Sequence, residues 1–264
     1  MNRIALAALA LLWLGGCAST GSPNGANSGA PAAPPATAAP APSAAAPANL
    51  HWKALAASGD DSIPVFDNAV DRFTALMVER NVINLRRYTS TEFLVAGDRP
   101  LATVDALDAG LKSLRPGPGE ACLVFLTSHG DRDGLLLKQD LNERQRLNPT
   151  RLGRMMDENC GRAPTVAIVS GCYSGIFLGQ ATEGPNRIIL TAARRDRTSF
   201  GCSADEDSTY FDACLFDAWP HSRTWEVLFD RTADCVRRKE SVLRFQFSIP
   251  QAWFGDNMRN VSLP

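Results

Sequence analysis

Val124-Phe125-Leu126-Thr127-Ser128-His129-Gly130 and Ala167-Ile168-Val169-Ser170-Gly171-Cys172-Tyr173-Ser174-Gly175 are the two stretches on which the fold turns. Each is an apolar run of strand length, and each breaks at a reactive side chain set among small residues. A near-continuous apolar run marks a strand covered on both faces, as in a parallel sheet flanked by helices. Open α/β sheets place their ligand crevice beyond the carboxyl ends of such strands. If the two strands are neighbours, an imidazole and a thiol meet across one cleft. That is the constellation of nucleophilic cysteine catalysis.

Working outward, His51 to Ala57 reads as a first strand, and Phe66, Val70, Phe73, Met77 and Val78 recur at helical spacing from Phe66 to about Asn81. Val82 to Tyr88 reads as a second strand, and Leu101 to Leu114 as a helix stopped by Pro116-Gly117-Pro118-Gly119. Ala121 to Ser128 is the strand of His129, followed by Gly134 to Lys138 as the first arm of a small hairpin with a polar turn through Asn142. A helix over Pro149 to Asn159 leads into the Thr165 to Val169 strand of Cys172; Arg187 to Ala192 is the next strand. Two helices close the reading, at about Ser208 to Ala218 and Thr224 to Lys239. This alternation predicts an α/β three-layer sandwich around a mostly parallel sheet.

The N-terminus lies outside that pattern. Met1-Asn2-Arg3 carries one positive charge, and Ile4 to Leu14 is an apolar run too short to span a bilayer comfortably. Leu14-Gly15-Gly16-Cys17 then matches the bacterial lipobox, so residues 1–17 read as a lipoprotein signal peptide with Cys17 as the lipidated residue. By resemblance to bacterial lipoproteins, Ala18 after the cysteine points to the outer membrane, with the protein facing the periplasm. Residues 18–50 are almost all Ala, Pro, Ser, Gly, Thr and Asn without a charge, a composition that cannot offset its ordering entropy. They read as a disordered tether, and 51–264 as one globular domain.

Removing Arg3 leaves 26 basic and 28 acidic residues, so no basic excess points to nucleic acid. Of seven cysteines, Cys17 is assigned to lipid and Cys172 to chemistry. The remaining Cys122, Cys160, Cys202, Cys214 and Cys235 form no CxxC and are too scattered for a zinc pattern, so neither metal nor cofactor is expected. With adjacent parallel strands, Cys122 and Cys160 fall at the same sheet edge and form one plausible bridge. Cys214 and Cys235, on the last two helices, form another. Asp131-Arg132-Asp133-Gly134 lacks the closing acid of a calcium loop and reads as a turn.

Only three histidines exist, and His51 and His221 fall at a tether junction and a helix connection. The ordered pair Thr127-Ser128-His129-Gly130 and Ser170-Gly171-Cys172-Tyr173-Ser174-Gly175 resembles the cysteine peptidases of the legumain family, C13, in the caspase-like clan. Asn186 to Cys202 resembles the strand and substrate-lining loop that follow the catalytic cysteine there. Phe66-Asp67-Asn68-Ala69 looks like the entry to the first helix, and Ser208 to Asp212 like the segment bearing a pocket acid. The resemblance implies a caspase-like fold and an endopeptidase acting on peptide or protein substrates. Cys172 would attack the scissile carbonyl, His129 would serve as acid and base, and the N–H groups of Gly130 and Cys172 would form the oxyanion hole. Asp67, Asn68, Ser170, Ser199 and Asp212 are the expected substrate-binding residues.

Two departures bear on specificity. Ser170 stands where legumain has an acid, and Asp67-Asn68 where it has an Arg-His pair, so asparaginyl specificity is not inherited. Two carboxylates, Asp67 and Asp212, facing one pocket would favour cleavage after Lys or Arg; Asn68 and Ser170 lining the floor would instead admit Asn, and Asp67 could alternatively serve only to cap the first helix. The same dyad could serve a transamidase or peptide ligase, because an amine can resolve an acyl-enzyme as water does. A non-catalytic binding module on the same fold is the third reading.

Overall fold

The computed structural model describes residues 50–264 apart from Ile83, Ala204 and Phe245. The expected signal peptide (1–17), its Cys17 and all of the tether (18–50) but Leu50 lie outside the described residues. The domain runs β1 (His51–Ser58), α1 (Val65–Glu79), β2 (Asn84–Tyr88), α2 (Val104–Leu114), β3 (Glu120–Thr127), β4 (Gly130–Asp131), β5 (Gly134–Lys138) and β6 (Arg144–Leu147). It continues with α3 (Pro149–Asn159), β7 (Thr165–Ser170), β8 (Arg187–Thr191), α4 (Tyr210–Ala218), α5 (Trp225–Leu243) and β9 (Gln251–Phe254).

Six strands form one sheet in the order β2-β1-β3-β7-β8-β9, parallel except for β9. The pleat sends alternate side chains to opposite faces, and both faces are apolar. Ala54, Ala56, Leu123, Phe125, Val166, Ile168, Ile188 and Leu190 pack with α1, α4 and α5. Leu55, Ala57, Val124, Leu126, Ala167, Val169 and Ile189 pack with α2 and α3. The continuous apolar runs of β3 and β7 are therefore the product of double coverage, and the three-layer α/β sandwich is as the sequence implies. Phe73 stacks on Phe125 at 4.7 Å across the first interface, a contact of about 1 kcal/mol beyond the area it buries.

Helix starts follow local chemistry. Thr103, Asn148, Thr209 and Thr224 each accept the backbone N–H three residues on, so α2, α3, α4 and α5 begin one residue later. The α2 start therefore shifts from Leu101 to Val104. β2 begins at Asn84 rather than Val82, because the Val82 N–H closes the end of α1 on Met77 O and Asn81 turns left-handed at φ 60°. The Cys122–Cys160 and Cys214–Cys235 bridges both form, with Cα–Cα separations of 6.2 and 5.7 Å. The first joins the start of β3 to the connection entering β7, and the second clips α4 to α5.

Candidate active site

The register of β3 on β7 sets the site. Thr127 pairs with Ser170, so the two strands end level and His129 and Cys172 each lie two residues past that pair. The strand ends are cross-tied by the Ser128 N–H donating to Ser170 O at 3.0 Å. Beyond them the backbones touch. A Cβ on Gly130 would strike the Cys172 carbonyl oxygen, and one on Gly171 would stand 2.8 Å from Ser128 O. Only glycine permits this approach, which brings the two candidate oxyanion residues, Gly130 and Cys172, side by side. The three-stranded sheet β4-β5-β6 frames the site, and Leu135 of β5 sits against both glycines.

Both reactive side chains are partly exposed. The Phe66 ring meets the His129 imidazole edge-on at 5.0 Å, so the first turn of α1 braces it. Asp60, just beyond β1, is buried beside it. Burial would raise the Asp60 carboxyl, but Ser62, the Arg144 guanidinium and the positive charge of His129 hold it below its ordinary range. Arg144 Nε lies 2.7 Å from Asp60 Oδ2. The Cys172 sulfur lies against Ser199, accepting its N–H at 3.3 Å and standing 3.7 Å from its hydroxyl. Tyr173, left-handed at φ 58°, donates its N–H to Arg197 O at 2.7 Å and fixes the 194–199 loop beside the thiol. His51 and His221 are exposed, as the sequence implies.

The expected pocket residues divide. Ser199 adjoins the thiol. Ser170 and Asp212 are fully enclosed one layer below the strand ends, where Thr127 Oγ1 donates to Asp212 Oδ2 at 2.7 Å. The other oxygen, Oδ1, receives no hydrogen bond of normal geometry. Burial pushes the Asp212 carboxyl up to about 6, against the pull of the Thr127, Ser170 and Thr209 hydroxyls.

Asp67 requires correction. It is buried and paired with Arg99 at 2.9 Å, and it also accepts from the hydroxyls of Ser58, Thr89 and Thr91. Its charge is consumed in tying β1, α1 and the β2–α2 connection together, so it offers no second carboxylate to a substrate. Asn68 stays exposed on α1. The sequence reading missed Asp60, Phe66 and Arg99 as determinants. Only the Asp60-Asp61 pair after β1 could have drawn attention, since the other two act through the fold. Among the described residues no cluster of three His, Cys, Asp or Glu could hold a metal ion.

This architecture is shared with known structures. The chain superposes on the crystal structure of caspase-1 from Spodoptera frugiperda with a TM-score of 0.54 at 12% identity, covering 81% of this chain and 93% of that one. No curated protein matches it in sequence. The fold is therefore caspase-like. Residues 93–256 match the model of the Peptidase C13 family, and the chain belongs to that family. Membership supports a cysteine-peptidase type of function with a peptide or protein substrate.

Proposed function

We propose that this protein is a lipid-anchored cysteine endopeptidase of the bacterial periplasm, held to the outer membrane through Cys17. The observation that carries the catalytic part is the level ending of β3 and β7, which gathers His129, Gly130 and Cys172 at one edge. Cys172 Sγ attacks the scissile carbonyl carbon, and the oxygen, now anionic, faces the N–H groups of Gly130 and Cys172. As the C–N bond breaks, His129 gives its proton to the departing amine and an acyl-enzyme remains. His129 then takes a proton from water, whose hydroxide releases the carboxylate and frees the thiol. The Phe66 edge contact supports an imidazole held in one orientation.

Cleavage of a mixed peptide library tests this. Cys172→Ala and His129→Ala should each lower turnover by at least about 10³-fold, with melting temperatures close to wild type because neither side chain is part of the packed core. Wild-type hydrolysis by Cys172→Ala would refute the mechanism. Capture of the acyl group by an added amine in place of water would identify a transamidase instead.

A further inference from the structure

Among the described residues two cysteines are free, Cys172 and Cys202, and both are partly exposed. Cys172 touches the loop that carries Cys202. The Cys172 sulfur rests on Ser199, 3.3 Å from its nitrogen and 3.6 Å from its carbonyl oxygen. Cys202 follows three residues later, a stretch that spans at most about 10 Å. Gly201, left-handed at φ 87°, bends that stretch, and the Tyr210 N–H pins Phe200 O at 3.0 Å. The Cys202 thiol is pushed up to about 12, by burial first and then by the charges of Cys172 and Asp212. The two sulfurs thus lie within electrostatic reach of each other. The other four described cysteines are already paired with one another, so neither bridge competes for Cys202.

We propose that Cys202 is a resolving thiol for Cys172, closing a reversible Cys172–Cys202 disulfide after a peroxide oxidises the nucleophile. The inference rests on Cys172 being the reactive thiol of the proposed peptidase. The Cys172 thiolate attacks one oxygen of hydrogen peroxide and the O–O bond breaks. The sulfur becomes a sulfenic acid, oxidised by two electrons, and the departing hydroxide takes a proton to become water. The Cys202 sulfur then displaces the hydroxyl from the Cys172 sulfur. The S–S bond forms as the S–O bond breaks, and the Cys202 proton leaves with the hydroxyl as a second water.

The burial of the Cys202 thiol fits its role. A thiol held near 12 presents almost no thiolate, so peroxide finds little to attack at Cys202. Its low thiolate fraction in the second step is offset by proximity, which makes that step intramolecular. Closure needs Cα atoms within about 7 Å, the separation to which the Cys202 loop must bring the two residues. The disulfide removes the nucleophile from catalysis and guards its sulfur against irreversible sulfinic acid.

The full-length protein and Cys202→Ser are exposed to hydrogen peroxide, blocked with an alkylating agent and mapped by mass spectrometry without reduction. The wild type should yield a Cys172–Cys202-linked peptide pair about 2 Da lighter than the reduced pair. Brief dithiol treatment should then restore alkylation of Cys172 in the wild type. In Cys202→Ser, Cys172 should accumulate sulfinic acid and recover about tenfold less labelling. Sulfinic acid on Cys172 beside a free Cys202 in the wild type would overturn the proposal, as would equal recovery in the two proteins. A Cys172 inert to both peroxide and alkylation would overturn this proposal and the peptidase reading together. A reactive Cys172 without the link would overturn this one alone.

Discussion

Asp212 shows how one residue can be judged separately for stability and for function. Its carboxyl lies near 6 in the fold against an ordinary 3.8. Between those values the native state binds more proton than the unfolded chain, so stability falls as pH rises through that window. The full loss is on the order of 3 kcal/mol, present at all pH above about 6. Asp212→Asn removes it, so the variant should melt higher than wild type at pH 7.5 and converge with it below about pH 4. With Asp67 neutralised by Arg99, we propose Asp212 as the one expected pocket acid that remains without a basic partner. A Lys or Arg side chain seated above it would favour the ionised form. Peptides cleaved after Arg should therefore show a KM that rises as pH falls through about 6, and Asp212→Asn should lose that preference while gaining stability. Efficient cleavage after Asn with none after Arg or Lys, in peptides differing only there, would reject the acidic floor.

At the scale of elements, the Asp67–Arg99 pair replaces specificity with architecture. Arg99 bridges Asp67 at 2.9 Å and Asp71 at 2.7 Å from the β2–α2 connection, with its side chain only 8% exposed. Removing one partner of a buried pair costs about 3–5 kcal/mol, so Arg99→Ala should lower the melting temperature by roughly 10 °C. A double variant with Asp67→Asn should cost much less than the two single changes added together; simple additivity would show that the pair is not coupled. This network also marks the limit of what the chain alone reveals. The apolar runs of β3 and β7 disclosed a doubly covered sheet, and their broken ends disclosed His129 and Cys172, because both signals are local. The Cys122–Cys160 bridge was legible once those strands were taken as neighbours. The partners of Asp67 lie at 58, 89, 91 and 99, and no local pattern joins them. β9 escaped notice for another reason: four residues after Pro250, pairing antiparallel at the edge of β8, carry too short a pattern to separate from loop.

For the whole molecule, the proposed anchor would decide where the proposed enzyme meets its substrates. The 33 residues from Ala18 to Leu50 carry no charge and include Pro31, Pro34, Pro35, Pro40, Pro42 and Pro47. If Cys17 is lipidated as proposed, a tether of that length extended at ~3 Å per residue would reach up to roughly 100 Å and let the domain work well away from the bilayer. A single acyl chain binds a membrane only marginally, whereas two or more hold it firmly. A lipidated Cys17 should therefore place the mature protein wholly in the detergent phase and the outer-membrane fraction. Cys17→Ser should move it into the soluble phase or leave the precursor unprocessed, with the domain's disulfides and peptidase activity intact, because the fold is built from residue 51 onward. Intact mass provides the second readout, since a lipidated mature chain begins at Cys17 and is heavier than its sequence by the acyl groups. A mature protein that begins elsewhere and partitions into water would refute the anchor and leave the catalytic assignment standing, because the β3–β7 register that sets His129 and Cys172 at level strand ends lies within the described domain.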